Sequence, residues 1–291
     1  MDYIFFILIL VDIYIILAVS LNLLMGFTGL ISMAHAGFMA IGAYTTTLLI
    51  TSLGLNFFLT IPLGVLIAGL VSALLALPSL RVKGEHYIIA SFGLQIILYN
   101  ILLNWVSLTN GPYGFSGIPR PQLFGYTFGT YRSYLVLASL ITLVCVFIIW
   151  RITRSRFGLV LRGIREDEIA ASSLGKNVNR FKVITFVAGS SVAAVAGSLY
   201  ATAISFIDPF CFTVHDSIFM LAVVIIGGMG NIFGSALGAL LLISLPELLK
   251  FLQVAETIAA PLRQMIYGAL LVVFMRFRPQ GLLPEYKSRK G

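Results

Sequence analysis

The chain has 291 residues, of which 59% are hydrophobic and 10% are charged, with a net charge of +8 and a mean hydropathy of +1.01. Soluble domains are about 25% charged, so this composition excludes a water-soluble fold. The apolar runs are continuous rather than alternating, which argues against a β-barrel and favours helices that satisfy their own backbone in lipid. We therefore predict an all-α, polytopic integral membrane protein with about eight to ten transmembrane helices.

Nine apolar segments are long enough to span the hydrocarbon core of a bilayer, which needs about 20 residues. They lie at 3–25, 29–50, 57–77, 87–106, 133–150, 183–203, 217–233, 234–250 and 262–276. The second, seventh and eighth are rich in glycine, which leaves open whether they are continuous, broken or re-entrant. The first has neither a basic leader nor a cleavage site and is predicted to be a retained helix.

The basic residues predict how these segments are oriented, because short cytoplasmic loops are enriched in Lys and Arg. If the N-terminus lies outside and all nine segments cross, the stretches 78–86, 151–182 and 276–291 are cytoplasmic. These three stretches hold fifteen of the 19 Lys and Arg residues. We therefore predict an outside N-terminus and a cytoplasmic C-terminus. The same distribution explains the positive net charge without a nucleic-acid partner.

Asp12 lies inside the first apolar run and is the clearest candidate for an ionisable residue within the membrane. Such residues are rare and often functional. If the first helix begins near Leu8, Asp12 lies at the membrane interface instead, and we favour an interfacial or structural role for it.

Residues 19–50 carry small side chains at helical spacing, with Ser32, Ala36 and Ala40 recurring every four residues. A flat helix face of this kind allows close helix packing in a membrane. The alternative is a broken helix whose exposed backbone lines a polar translocation path. The candidates for that path are Asn22, Gly26, Gly29, Ser32 and His35. The residues alone do not decide between packing and a path.

The stretch 151–182 carries eight basic residues and the acidic run at 166–168. A short helix is predicted from Glu168 to Gly175, with acidic residues at its N-terminus and a glycine at its C-terminus, as the helix dipole and left-handed capping favour. A plain solvated loop explains the charge but not the middle of the stretch. There Ala170, Ala171 and Leu174 would form a smooth face with one apolar knob, suited to a groove on a soluble partner.

Residues 226–239 form a second glycine-rich segment, in which Gly230, Gly234 and Gly238 recur every four residues. A continuous helix with this spacing would pack tightly against a neighbour. Gly227 and Gly228 could instead unwind it, and with Gly230 they complete the set of candidate path residues. Packing is the favoured explanation.

The pattern of Glu168, Ala170, Ala171 and Gly175 resembles the coupling helix of permeases in ATP-binding-cassette importers, which docks on the ATPase subunit. Ile169 separates the acid from the alanines and departs from the strict Glu-Ala-Ala triplet. The resemblance implies that six residues couple this chain to an ATPase, namely Arg165, Glu168, Ala170, Ala171, Leu174 and Gly175.

Further motifs along the chain resemble the permease subunits of branched-chain amino acid importers, and the M-type subunit more than the H-type. They are Ser20–Leu24 with Gly26 and Gly29, His35–Phe38, Ile41–Thr45, Leu80–Gly84 with Tyr87, Leu108–Gly111 with Gly114 and Gly117–Pro119, Asp208–Pro209, Gly227–Gly230 with Gly234, and Arg278–Leu282. Ala34 stands where that family often has glycine before the histidine. The resemblance covers about residues 16–284.

This resemblance implies a non-enzymatic permease for leucine, isoleucine and valine in a bacterial or archaeal inner membrane. Residues 1–291 would form a single transmembrane domain, with 151–182 as its cytoplasmic coupling loop. The implied partners are two ATPase subunits, a second homologous permease, an extracytoplasmic substrate-binding protein that contacts 107–132 and 204–216, and membrane lipid. The chain has no GxxxxGK[ST] phosphate loop, so ATP would be hydrolysed by separate chains. No cofactor or metal is implied.

Three alternatives remain open. The substrate could be urea or a short amide, which related importers carry. An ion-coupled secondary transporter would need membrane-embedded acids or a sodium site. Asp12 alone is weak evidence for such a site. An intramembrane enzyme could pair Ser32 with His35, three residues apart, but it would also need an oxyanion site and a water path.

Overall fold

The computed structural model describes residues 2–79, 86–123, 125–251, 256–277 and 281–283. The helices in these ranges are α1 (Asp2–Thr28), α2 (His35–Leu53), α3 (Phe57–Ser79), α4 (His86–Asn104), α5 (Val106–Thr109), α6 (Tyr131–Thr153), α7 (Arg156–Glu166), α8 (Glu168–Ser173), α9 (Val178–Ile204), α10 (Val214–Gly227), α11 (Ile232–Phe251) and α12 (Glu256–Phe277). Two-residue strands lie in the connections, namely β1 (Phe115–Ser116), β2 (Gln122–Leu123), β3 (Tyr126–Thr127) and β4 (Phe206–Ile207).

Within these described ranges, the nine longest helices overlap the nine predicted apolar segments, although the ends of several differ. Seven spans in the described residues are long and apolar enough to cross a membrane, and shorter apolar stretches of α11 and α12 follow them. The predicted all-α, polytopic membrane fold is confirmed. The predicted loop at 78–86 and most of the stretch 276–291 lie outside the described residues, so the orientation stays a prediction.

Helix α9 packs against α1, α2 and α3 and forms the centre of the bundle. Small residues make this possible: a Cβ on Gly197 would lie 1.9 Å from the carbonyl oxygen of Met39, and one on Gly42 would lie 2.0 Å from that of Ala194. Backbones in such close contact are typical of helix pairs in membranes, which lack a hydrophobic driving force for association.

The two ends of the bundle differ. One end carries α7 and α8 and is called the α8 end below. The opposite end carries the antiparallel hairpin of β2 and β3 and is called the hairpin end. At the hairpin end β1 pairs with β4, with Phe115 opposite Ile207. The two long connections at this end, 107–132 and 204–216, are therefore joined into one surface.

Helix α2 begins only at His35, so residues 29–34 are irregular. Ser32 therefore precedes the helix, and the expectation that it shares a helix face with Ala36 and Ala40 is wrong. Irregular backbone within a membrane is tolerated where protein buries it. Here Ser217 accepts from the amide of Ala36 at 3.0 Å, and Gln95 accepts from that of Gly37 at 2.7 Å. Side chains of α10 and α4 thus replace the missing side-chain N-cap of α2.

Helix α10 ends at Gly227 and α11 begins at Ile232, so the glycine-rich segment 226–239 is interrupted, which is one of the two alternatives that the sequence left open. Gly228 and Gly230 have φ of +120° and +80°, which break the helix because left-handed backbone suits glycine. The boundary between the seventh and eighth segments lies at 228–231 rather than at 233–234. The amides of Leu282 and Leu283 bond to the last carbonyls of α10 at 2.9 and 3.1 Å, which satisfies acceptors that a helix end leaves unpaired.

Candidate functional site

Asn22 joins α1 to the turn between α10 and α11. Its side-chain amide donates to the carbonyl oxygen of Asn231 at 2.9 Å and to Oγ of Ser235 at 2.7 Å, while its Oδ1 accepts from the amide of Gly230 at 2.8 Å. Asn22 is fully buried. Both of its donors and one of its acceptor sites are therefore used within the protein.

Gly26 lies one turn further along α1, against the same α10–α11 turn. A Cβ at Gly26 would lie 2.3 Å from the amide nitrogen of Gly230 and 1.9 Å from Oδ1 of Asn22. The first of these atoms is backbone, so the neighbour cannot move aside cheaply. Glycine is thus required here by the contact between α1 and the turn.

Arg165, on α7, reaches the same region from the α8 end. Its Nη1 donates to the carbonyl oxygen of Gly26, and its Nη2 forms an ion pair with Glu166 at 3.1 Å. Gly26 lies in the last turn of α1, where the helix dipole favours a cation. Gly29, with φ of +73°, lies beside the Arg165 side chain. One coupling candidate, Arg165, and three path candidates, two in α1 and Gly29 just after it, therefore meet in one cluster.

Helix α8 covers most of the predicted coupling helix, and Gly175 follows it with φ of +76°. Asp167 caps its N-terminus by accepting from the amides of Ile169 and Ala170 at 2.8 and 3.0 Å. Glu168 forms an ion pair with Lys182 at the start of α9. The helix is thereby fixed to both elements that flank it.

The exposed face of α8 differs from the expected one. Ala171 is buried against the protein, whereas Ile169 and Leu174 are 79% and 80% exposed and Ala170 is also exposed. The face therefore carries two apolar knobs rather than one. Ile169, which interrupts the expected triplet, is one of them.

His35 and Ser32 lie apart from this cluster and do not form the Ser–His pair that an intramembrane enzyme would need. His35 Nε2 bonds instead to Oγ of Ser20 at 2.7 Å, and its buried Nδ1 has no hydrogen-bond partner among the described residues. Ser32 is buried at the irregular start of α2, where its Oγ accepts from the amide of Ala34 at 3.4 Å.

The glycines of the α10–α11 turn serve close helix contact. A Cβ on Gly227 would lie 2.3 Å from the carbonyl oxygen of Gly234, and one on Gly238 would lie 2.4 Å from that of Val223. Gly228 and Gly230 turn the chain, and Gly230 also lines a cavity of about 440 Å³ at the α8 end. Packing explains these residues, and a role in translocation stays a prediction.

Asp12 bonds across the seam between α1 and α6. Its Oδ2 accepts from Oγ of Ser139 at 2.6 Å, and its carbonyl oxygen accepts from Thr142 at 3.3 Å. Ser139 is the ninth residue of α6, so the pair lies about 12 Å along that helix from its first residue. The geometry assigns Asp12 a structural contact.

Sequence reasoning missed Asn231, Ser235 and Lys182, which complete these contacts. Asn231 and Ser235 are polar, four residues apart and set in an otherwise apolar stretch. That spacing places both side chains on one side of a helix start, which is the signal that could have identified them. Lys182 was counted only as a loop charge.

Comparison with known proteins gives a consistent result. Residues 3–275 match the family model described as the branched-chain amino acid transport system / permease component. The chain is 36% identical to the high-affinity branched-chain amino acid transport system permease protein LivM of Escherichia coli, over 94% of this chain and 68% of that one. It is 28% identical to the probable LivM of Methanocaldococcus jannaschii, over 78% and 68%, and 28% identical to LivH of Escherichia coli, over 95% and 93%.

Proposed function

The chain belongs to the family of branched-chain amino acid transport permeases, and from this premise we propose that it is the M-type membrane subunit of an ATP-driven importer of leucine, isoleucine and valine. ATP would be bound and hydrolysed by two separate ATPase subunits. A second, homologous permease would complete the translocation path.

The cluster around Gly26 is the observation that carries this proposal. It connects the loop that carries α8 to the membrane helices through Arg165, and it connects α1 to the α10–α11 turn through Asn22. Closure of the ATPases would move α8, and Arg165 would pull the end of α1. Because Asn22 binds the turn, α10 and α11 would move with α1 between outward-facing and inward-facing states.

Helix α8 is the proposed docking element for one ATPase. Ile169 and Leu174 project from it and would fill an apolar groove on the ATPase, while the Glu168–Lys182 ion pair would hold the helix against α9. With α8 docked on an ATPase, the α8 end would lie in the cytoplasm. The N-terminus would then lie outside and the C-terminus inside, as the distribution of basic residues predicts.

The hairpin end is the proposed docking surface for a substrate-binding protein. The pairing of β1 with β4 holds its two long connections together. Tyr113 and Phe210, which are 81% and 56% exposed, lie in these connections. Aromatic side chains of this kind are common anchors at protein interfaces.

Uptake of labelled leucine in cells with and without this chain tests the proposal. We expect uptake to disappear without the chain, to require ATP, and to be inhibited by unlabelled valine and isoleucine but not by urea. If cells without the chain lost uptake of urea but not of leucine, the assignment to an ATP-driven importer would stand, and the proposed substrate would change to urea. Uptake that is indifferent to ATP but sensitive to an uncoupler would indicate an ion-coupled transporter instead.

A further inference from the structure

A groove of about 600 Å³ runs between α3 and α6 near the hairpin end, with Val195 of α9 at its floor. Its lining is wholly apolar and includes Ile61 and Val65 of α3 and Leu140 and Val144 of α6. Helix α3 packs against α9, whereas α6 packs mainly against α1, and the groove lies between α3 and α6. A groove whose lining has no polar atom cannot form hydrogen bonds with water or with a polar ligand.

A second cavity of about 280 Å³ adjoins this groove at the hairpin end. Phe57 and Gln122 line the second cavity, and the residues that follow them in the chain, Phe58 and Leu123, line the groove. Consecutive residues of two different segments thus line the two spaces, which therefore adjoin each other. Together they form one elongated site with an apolar part and a polar end.

The polar end carries a positive charge. Arg120 lines it together with Asn56, and no acidic residue is among the described residues that line either space. The Arg120 guanidinium lies 4.8 Å from the centre of the Tyr131 ring and donates to the carbonyl oxygen of Gly129. These contacts fix the guanidinium beside the cavity, where its charge suits a phosphate group.

We propose that this composite groove binds one anionic phospholipid, with an acyl chain between α3 and α6 and the headgroup phosphate beside Arg120. Three features favour this occupant. The groove opens on exposed apolar faces of α3 and α6, where Leu66 and Leu140 are 56% and 60% exposed. The polar cavity lies at the end of the membrane-spanning helices, where headgroups lie. A cation without an acid in the lining favours a net negative headgroup.

Two variants one residue apart test the apolar part of the site. Val144 lines the groove and is 54% exposed, whereas its neighbour Leu143 is 68% exposed and does not line the groove. Val144→Trp places a tryptophan side chain in the groove. Leu143→Trp places the same side chain on another face of α6. Displacing a few methylene groups from apolar surroundings weakens binding by about tenfold.

The measurement is the number of phosphatidylglycerol molecules that the intact transporter complex retains in mild detergent, determined by native mass spectrometry. We expect one bound molecule per chain, about a tenfold loss for Val144→Trp, and no loss for Leu143→Trp. Arg120→Gln is expected to abolish the preference for phosphatidylglycerol over phosphatidylcholine, while Arg132→Gln at the same end retains it.

Equal retention by Val144→Trp and Leu143→Trp would overturn the proposal, as would an unchanged lipid preference in Arg120→Gln. A third outcome would assign the groove to another occupant. If Val144→Trp released the second permease subunit from the purified complex while Leu143→Trp did not, the groove would hold a helix of that subunit, and the lipid site would be wrong.

Discussion

The carbonyl oxygen of Gly26, in the last turn of α1, accepts a hydrogen bond from Arg165, which lies 139 residues further along the chain. Four residues before Gly26, Asn22 binds the α10–α11 turn. The loop that carries α8 is thereby linked to three membrane helices through two side chains.

Replacing Asn22 with leucine should destabilise the membrane domain. The change leaves the buried amide of Gly230 without its acceptor, and a buried polar group left unsatisfied costs about 1–3 kcal/mol. The hydroxyl of Ser235 loses one bond but still donates to the carbonyl oxygen of Asn231 at 3.3 Å. We expect a lower thermal unfolding temperature in detergent. Asn100→Leu is the matched control because the side chain of exposed Asn100 donates to the carbonyl oxygen of Ile96, in its own helix, at 2.8 Å. Equal unfolding temperatures for the two variants would contradict the account of Asn22.

Replacing Gly26 with alanine should separate α1 from the α10–α11 turn, because its Cβ would lie 2.3 Å from the amide nitrogen of Gly230. Gly93→Ala is the control, since a Cβ there meets nothing within 4 Å. Alanine is favoured over glycine in a helix by about 0.5–1 kcal/mol, so the control should be neutral or stabilising. Size-exclusion profiles and unfolding temperatures compare the two, and a well-folded Gly26→Ala variant that transports normally would refute the close contact.

Placing charge on the exposed face of α8 should release the ATPase that docks there without unfolding the chain. Ile169→Asp and Leu174→Asp change side chains that are 79% and 80% exposed, so the fold loses little packing. Co-purification of the ATPase subunits should fall by about tenfold, since a buried apolar anchor contributes at least 1–2 kcal/mol to an interface. Tyr126→Asp, at the hairpin end, is the control. Normal ATPase recovery with both α8 variants would exclude α8 as the docking element.

Neutralising Asp12 should leave transport intact. The carboxylate accepts from Ser139, and in Asp12→Asn the carboxamide oxygen can accept the same bond. Initial rates of leucine uptake in proteoliposomes should therefore stay within about twofold of the unmodified chain. Loss of uptake in Asp12→Asn, with the complex still assembled, would point to a proton- or ion-coupled role for this acid.

Much of the fold follows from hydropathy, because each of the nine long helices consists of a continuous apolar run. The side chains of that run contact either lipid or the interior of the helix bundle. The helix at 168–173 was also predictable, since an acidic start and a following glycine are local signals. The start of α2 was not predictable, because the amides of Ala36 and Gly37 are satisfied by Ser217 and Gln95, which lie far away in the sequence.

The links within the candidate site were also beyond the sequence. Asn22 and Gly230 were both candidate path residues, but nothing local indicates that they touch across about 200 residues. Arg165 belonged to the loop and Gly26 to the membrane, and only the tertiary structure joins them. The break at Gly228 and Gly230 could not be decided from the sequence, because glycines at a spacing of four fit a packed continuous helix equally well.

In the proposed mechanism, ATP hydrolysis drives transport through α8, Arg165 and α1. The most direct test is the number of leucine molecules taken up per ATP hydrolysed by the full complex, reconstituted in proteoliposomes with its binding protein. Arg165→Gln should lower this ratio by about tenfold, as expected for loss of a charged hydrogen bond, whereas Arg156→Gln at the exposed start of α7 should not. Uptake without ATP, or an unchanged ratio in Arg165→Gln, would contradict this mechanism.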